Sequence, residues 1–369
     1  MSEKNKKVLI IVGTRPNFIK VTQFEKELAK HGEHFDYKLL HTGQHYDENM
    51  SKVFFDQLEL KEPDYYLDIT ERVPSKQIAS IIIKLDEVMS ELNPDLVMVV
   101  GDVSSTMAAA IAANKAGLKV AHLESGLRSF DRTMPEEINR IVADAVADMF
   151  FVTEVSGENN LLKDGKNKDS IHFVGNTMID TLVAFDSEIK ESKILEELSI
   201  SKDQYALMTM HRPANVDSKE GLEQLWKIIE LITQEENLVF PIHPRTRMRM
   251  TEHGMEDKIQ GNERLLLCEP LDYLSFQKLI LECKYVITDS GGIQEETTFR
   301  KKPCLTLRDN TERPSTITLG TNQLLEFTTP AVQEAVAAIR NGNTKQGQVP
   351  PLWDGKTTER IVGILKEVL

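Results

Sequence analysis

The chain has 369 residues, with 44 Lys plus Arg against 58 Asp plus Glu and a formal charge of −14. That length is beyond one ordinary hydrophobic core, so two domains are expected. An acidic chain with only 6% aromatic residues is a poor non-specific binder of nucleic acid or anionic membrane surface, and any anionic ligand must be gripped by a local basic pocket. Three cysteines, Cys268, Cys283 and Cys304, without a C-x-x-C pair, fit a reducing compartment and buried, inert thiols. Lysines precede the apolar run 8–12, but that run is too short for a signal sequence or a span. With no apolar run elsewhere that approaches membrane-spanning length, a cytoplasmic protein without membrane association is expected.

Short, continuous apolar runs alternate with amphipathic stretches. Strands are predicted over 7–13, 37–43, 95–102, 119–124 and 149–153, with helices between them such as 78–92 and 105–116. The pattern breaks near 174–180, a charged stretch (188–203) follows, and strands resume over 205–211, 238–243, 264–270, 284–290 and 304–309. Such alternation predicts an α/β chain of two doubly wound Rossmann-like domains, 1–178 and 179–356, each with a parallel sheet covered on both faces. The segment 357–369 reads as an amphipathic helix able to pack back on the first domain. Ligands of such sheets bind outside the carboxyl ends of the strands, so a cleft between the two domains is the expected site.

The strand ends carry the chemistry. The first closes on Gly13-Thr14-Arg15-Pro16-Asn17, with Lys20 a turn later; two cations at a strand mouth suit an anion, the alternative being a solvated helix start. The second ends in His41-Thr42-Gly43-Gln44-His45. Asp102 and Glu124 close two consecutive strands and would reach one rim, where mutual repulsion separates the pKa values of an acid and a base. A lone Asp there would read as a helix N-cap; the pair is harder to dismiss. Pro135-Glu136-Glu137 is good helix-start chemistry, and Glu136 stands i,i+4 from Arg140, the spacing of an intrahelical ion pair. In the second half, His211 and His243 end strands and are candidate acid/base or phosphate-donor groups.

The stretch 286–314 adds a strand, the turn Asp289-Ser290-Gly291-Gly292 and a helix-competent run. That order puts unpaired N–H groups and the positive helix end where an anion can sit. Glu295 and Glu296 follow, and Arg308 and Arg313 are planar forks suited to phosphate. No G-x-G-x-x-G, P-loop, Asp-x-Asp or metal-ligand spacing is present, which weighs against dinucleotide enzymes, P-loop NTPases and metal-dependent nucleotide-sugar transferases.

The segments GTRPNFIK (13–20), HTGQH (41–45), GDVSST (101–106), HLESGLRSFDRTMPEEINR (122–140), VGNT (174–177), MHRPAN (210–215), EPLDYLSFQ (269–277) and TDSGGIQEE through TERP (288–314) occur in order along nearly the whole chain. In this the chain resembles the bacterial non-hydrolysing UDP-N-acetylglucosamine 2-epimerases. The resemblance implies a glycosyltransferase-B fold, a homodimer, a UDP-sugar substrate and no cofactor. The implied reaction is reversible conversion of UDP-N-acetylglucosamine to UDP-N-acetylmannosamine, by anti elimination of UDP to a 2-acetamidoglucal and re-addition, feeding surface polysaccharide synthesis.

It also implies roles. Asp102, Glu124 and Glu136 would move the C2 proton with Arg140 orienting them, and His211 would assist at the leaving group. Ser290, Gly291 and Gly292 would hold the pyrophosphate, helped by Arg15 and His211, with Lys20 and the cleft arginine Arg313 as further UDP-binding residues, Glu296 on the ribose and Phe276 on the uracil. Gln44 and His243 are candidate second-site residues. Asp47 stands where members with a defined activator site carry another residue, and HTGQHYDENM resembles epimerases of UDP-diacetamido-glucuronate. The alternatives are therefore that uronate epimerase, a hydrolysing epimerase releasing N-acetylmannosamine and UDP, and a non-catalytic UDP-sugar binder.

Overall fold

The structure, a computed structural model, describes residues 5–43, 55 and 57–369. The chain divides into two units, residues 1–184 with 351–369, and residues 185–350.

Among the described residues the first unit is built on seven strands, β1 (Lys6–Val12), β2 (Phe35–His41), β3 (Tyr65–Tyr66), β4 (Leu96–Val100), β5 (Lys119–Leu123), β6 (Met149–Val152) and β7 (Ile171–Phe173), in the order β3-β2-β1-β4-β5-β6-β7. Every pairing is parallel. β4, LVMVV, is buried along its whole length, as a strand covered on both faces must be, and helices supply the covers. The helix Pro74–Leu92 starts with proline in its first turn, buries Ile81, Leu85, Met89 and Leu92 along one stripe, and stops at Asn93 in the left-handed region. The next, Ser104–Lys115, is alanine-rich and buries five alanines, which lets it lie close between its neighbours Pro74–Leu92 and Pro135–Val146. Leu9, Ile11, Val97 and Val99 of the sheet join these helices in one apolar core.

Residues 351–369 belong to this unit. Asp180, on the helix Thr177–Ala184, accepts hydrogen bonds from the backbone N–H groups of Thr357 (3.0 Å) and Thr358 (2.6 Å) and so caps the helix Thr357–Val368. Trp353 is buried and donates its indole N–H to the Thr153 carbonyl at 2.9 Å. The boundary expected at 178/179 falls inside Thr177–Ala184, whose Asp180 holds that helix to the first unit.

The second unit has six strands, β8 (Tyr205–Thr209), β9 (Asn237–Pro241), β10 (Leu265–Cys268), β11 (Val286–Thr288), β12 (Cys304–Leu307) and β13 (Asn322–Leu325), in the order β10-β9-β8-β11-β12-β13 and all parallel. Alternate residues feed two apolar layers: Ala206, Met208 and Ile287 pack with the helix Lys219–Thr233, while Tyr205, Leu207 and Val286 pack with Tyr273–Glu282. In each sheet the strand order reverses at one place, β1/β4 in the first and β8/β11 in the second. A crevice at such a switch point, beyond the strands' carboxyl ends, is where doubly wound sheets take ligands. Among the described residues no helix is long and apolar enough to cross a membrane.

Candidate active site

At the switch point of the first unit, Asn17 joins the two strand ends. Its Oδ1 accepts from the N–H groups of Gly13 and Thr14, both at 3.1 Å, and its Nδ2 donates to the Val100 carbonyl at 3.2 Å. Gly101 follows β4 with φ +66°, a conformation open to glycine and costly for most residues. A Cβ there would lie 3.1 Å from Lys20 Nζ and 3.5 Å from Glu124 Oε2. The carboxylate of Glu124 therefore sits beside the turn that carries Asp102. Val100 and Leu123 are partners in the β4–β5 ladder, so both carboxylates leave the sheet from one rim.

Each of these carboxylates has a cation. Lys20 Nζ bonds Glu124, and both side chains are buried, so Lys20 is the partner of a carboxylate rather than a cation facing solvent. Glu124 has φ +68°, a strained setting for a glutamate that functional positions often retain. Asp102 receives an Arg140 N–H at 2.5 Å with its side chain 23% exposed, while Arg140 is buried. The second pair of Arg140 differs from the expected one. It runs to Glu137 at 2.7 Å, three residues earlier, not to Glu136. Glu137 is buried because it also accepts from the N–H groups of Ser129 (2.8 Å) and Phe130 (3.1 Å), whereas Glu136 lies exposed in the same first turn. Arg15, half-buried, opens the helix Arg15–Val21. His41 packs beside Phe18 and Tyr66; burial pushes it down to about 4, so it is a neutral core histidine near pH 7. Gln44, with His45 and Asp47, lies outside the described residues.

At the switch point of the second unit, Asp289 is the hub. It is fully buried and accepts from the backbone N–H groups of His211 (3.0 Å) and Arg212 (2.8 Å) and from the Asn215 amide (3.1 Å). His211 Nδ1 lies 3.0 Å from the same carboxylate. That contact orients the ring and leaves Nε2 as the outward atom. The exposed His243 caps the helix Pro244–Glu252 by accepting from Arg245 N–H at 3.2 Å, and its ring centre is 5.4 Å from that of His211.

Ser290 is the N-cap of the helix Gly291–Arg300, so the N–H groups at Gly291 and Gly292 open a helix. The space a Cβ at Gly291 would fill is taken by Arg313 and Glu312, at 2.7 and 2.8 Å. The glycine thus admits an ion-pair network over the helix start: Arg313 with Glu312 and, at 3.0 Å, with Glu295, and Arg308 with Glu312 at 2.9 Å. Glu296 is buried one residue on. Its burial, reinforced by the neighbouring Glu295 charge, pushes its carboxyl up to about 7. Phe276, half-buried on Tyr273–Glu282, packs on the second apolar layer. Burial likewise raises the thiols, Cys283 to about 12 and Cys268 and Cys304 to about 11, consistent with inert cysteines. Among the described residues no group of three or more His, Cys, Asp or Glu could hold a metal ion.

Sequence reasoning passed over Asn17, Glu137 and the role of Asp289. All three lie inside the motifs quoted above, and only their tertiary partners single them out.

A family model described as UDP-N-acetylglucosamine 2-epimerase matches residues 26–366. The chain is 40% identical over 366 residues to a UDP-N-acetylglucosamine 2-epimerase of Methanocaldococcus jannaschii, covering 97% of this chain and 98% of that one. It is 34% identical to a UDP-2,3-diacetamido-2,3-dideoxy-D-glucuronate 2-epimerase of Pseudomonas aeruginosa, covering 98% of this chain and all (100%) of the relative. Its fold matches the crystal structure of the M. jannaschii UDP-GlcNAc 2-epimerase in complex with UDP-GlcNAc and UDP, with a TM-score of 0.90 at 39% identity over 98% of this chain and 99% of that one. The two units are Rossmann-like domains of the glycosyltransferase-B type. With matches of this extent in sequence and structure, the chain belongs to the UDP-N-acetylglucosamine 2-epimerase family.

Proposed function

We propose that the protein is a non-hydrolysing epimerase that interconverts UDP-N-acetylglucosamine and UDP-N-acetylmannosamine by anti elimination and re-addition of UDP. The observation that carries this is the pair of rim carboxylates, Asp102 with Arg140 and Glu124 with Lys20, delivered by adjacent strands. Removing a weakly acidic C2 proton needs a carboxylate held within reach and shielded from water. Two of them allow one to remove the proton and the other to return it on the opposite face, with Glu136 as a third candidate that would act from an exposed helix start. Expelling UDP needs stabilisation of the developing charge on the pyrophosphate. His211, Arg15, Arg313 and the N–H groups after Ser290 are proposed to provide it. Glu296 would bind the ribose and Phe276 the uracil. A cytoplasmic homodimer supplying surface polysaccharide synthesis completes the reading.

Incubating the purified protein with UDP-N-acetylglucosamine in deuterated water, followed by proton NMR, tests it. Deuterium at C2 in a mixture of the two UDP-sugars is expected. Free N-acetylmannosamine would mean hydrolysis, and bound UDP without exchange would mean a binder or another sugar. The 34% identity to a diacetamido-glucuronate epimerase makes that uronate the second substrate to try.

Glu296 sets a pH dependence. An ionised carboxylate is acceptor-only and can take two ribose hydroxyls, whereas its protonated form surrenders part of that capacity. With Glu296 pushed up to about 7, UDP affinity is expected to fall as pH drops from 8 to 6. The loss should approach about tenfold per unit below the titration if only the ionised form binds. Calorimetry across that range, beside Glu296→Gln, separates this slope from the titration of the phosphate. Parallel slopes in the two proteins would remove Glu296 from ribose recognition.

A further inference from the structure

Both nitrogens of a fully buried imidazole, His122, face acceptors. Nδ1 is 2.7 Å from an Asp144 carboxylate oxygen, and Nε2 is 2.8 Å from the Gly101 carbonyl oxygen. A neutral imidazole donates from one nitrogen only, and neither partner can donate back unless the acid is protonated. Asp144 is a carboxylate here. It also accepts from Gly126 N–H at 3.2 Å and from Arg128 at 2.6 Å, and although burial works against it, His122 and Arg128 hold its carboxyl below the usual range. The arrangement thus calls for an imidazolium at His122.

Asp144 therefore reaches both turns of the rim. Through His122 it fixes the Gly101 carbonyl, one residue before Asp102; through Gly126 and Arg128 it fixes the segment that follows Glu124. It lies one helical turn after Arg140, whose guanidinium holds the Asp102 carboxylate, while Asn139 donates to the Asp102 carbonyl at 2.9 Å. The helix Pro135–Val146 thus grips the Gly101–Asp102 turn at three points. The charges close on themselves: Asp144 and His122, then Arg128, whose far N–H reaches Asp164 at 2.9 Å. The other charged groups around the Gly101 turn, Lys20 with Glu124 and Arg140 with Asp102, are paired separately.

We propose that Asp144 is a positioning residue for the reaction, setting Asp102 and Glu124 relative to each other through an imidazolium at His122 and the guanidinium of Arg128. The proposal rests on the epimerase reading. A shift of one ångström in a reacting group can cost about 10²-fold in rate, so small displacements of these turns matter even when the fold survives.

The test is long-range 15N–1H NMR of the full-length protein, labelled at histidine, at pH 7.5 without substrate, with His122 assigned by comparison with His122→Gln. Two ring N–H groups on His122 are expected. Asp144→Asn keeps the shape of the side chain but removes the charge. It should leave one N–H on His122, UDP affinity within about threefold, and C2 exchange lowered by about 10²-fold. A single N–H on His122 in the unaltered protein overturns the proposal, as does undiminished exchange in Asp144→Asn once its second N–H is gone. If Asp144→Asn does not fold, His122→Gln takes its place, with the same loss of exchange at retained UDP affinity as the expected result and undiminished exchange as the overturning one. Absence of exchange in the unaltered protein defeats the epimerase reading itself and with it the positioning role, whereas the charge state of His122 is read without substrate.

Discussion

Asp102→Asn is expected to bind UDP with the affinity of the unaltered protein and to lose C2 exchange by roughly 10²–10⁴-fold, the usual contribution of a positioned general base or acid. The substitution is close to isosteric. Arg140 keeps its 2.7 Å bond to Glu137, and the Asp102 carbonyl keeps the Asn139 amide, so the buried guanidinium is not stranded and the turn is held. What disappears is the ability to take a proton. Glu124→Gln would be a poorer first test. It strips Lys20, buried to 7% exposure, of its carboxylate, and an uncompensated buried charge threatens the fold before it reports on chemistry. Exchange followed by NMR in deuterated water, beside UDP titration calorimetry, reads both halves of the prediction. Exchange within threefold of the unaltered protein would take Asp102 out of the reaction and leave Glu124 and Glu136 to carry it.

The parts of this molecule that sequence makes visible are those where one physical rule acts alone. The central strands β1, β4, β5, β8 and β11 are apolar without alternation because both faces are covered, and that pattern needs no tertiary information. The strands missed are β3, β7 and β13. β3 is two residues long, β7 is half-exposed throughout, and β13 begins with a buried asparagine whose amide bonds Gln294 and Thr316. Edge strands of this kind carry too few apolar residues to stand out from loops. Sequence places the boundary at 178/179 and the division between the two units falls at 184/185, because a helix start such as 177–180 looks the same whichever unit it serves. Its tertiary partners decide it: Asp180 reaches Thr357 and Thr358 far along the chain, and Thr181 bonds Thr22 and the Ile19 carbonyl.

The rim of each sheet follows the same division. Asp102 and Glu124 in one unit, and His211 and Ser290 in the other, are legible as strand-end residues, since parallel strands deliver their ends to one side of their own sheet. Their partners are not. Three- and four-residue spacings lie on one helix face, so the choice of Glu137 over Glu136 by Arg140 was made by the N–H groups of Ser129 and Phe130, which hold Glu137 inside. From sequence Lys20 reads only as a cation at a strand mouth, because its glutamate is 104 residues away.

Asp289→Ala should destabilise the protein by roughly 3–5 kcal/mol, the range for breaking a buried, multiply bonded charged group. The residue has no exposure, and its carboxylate collects two backbone N–H groups, the Asn215 amide and the His211 ring. Alanine takes that acceptor from the backbone N–H groups and from the buried Asn215 amide, and each buried orphan costs about 1–3 kcal/mol. Asn at this position retains one accepting oxygen and should lose about half as much. The charge adds a pH signature. Burial opposes ionisation of Asp289, but the His211 ring and the N–H groups of His211 and Arg212 overcome it and hold the carboxyl below its usual range. A depressed folded-state pKa contributes stability that is complete above the unfolded value of about 3.9 and vanishes as pH falls through the folded one. Urea unfolding at pH 7 and again below pH 3 should therefore show the gap between the unaltered protein and Asp289→Asn narrowing in acid. A constant gap would mean that shape, not charge, is what Asp289 contributes. Because the same carboxylate aims the His211 ring, the alanine variant should also bind UDP more weakly at temperatures where it is still folded, which would make the stability of β8/β11 and the proposed grip on the leaving group one property of a single buried side chain.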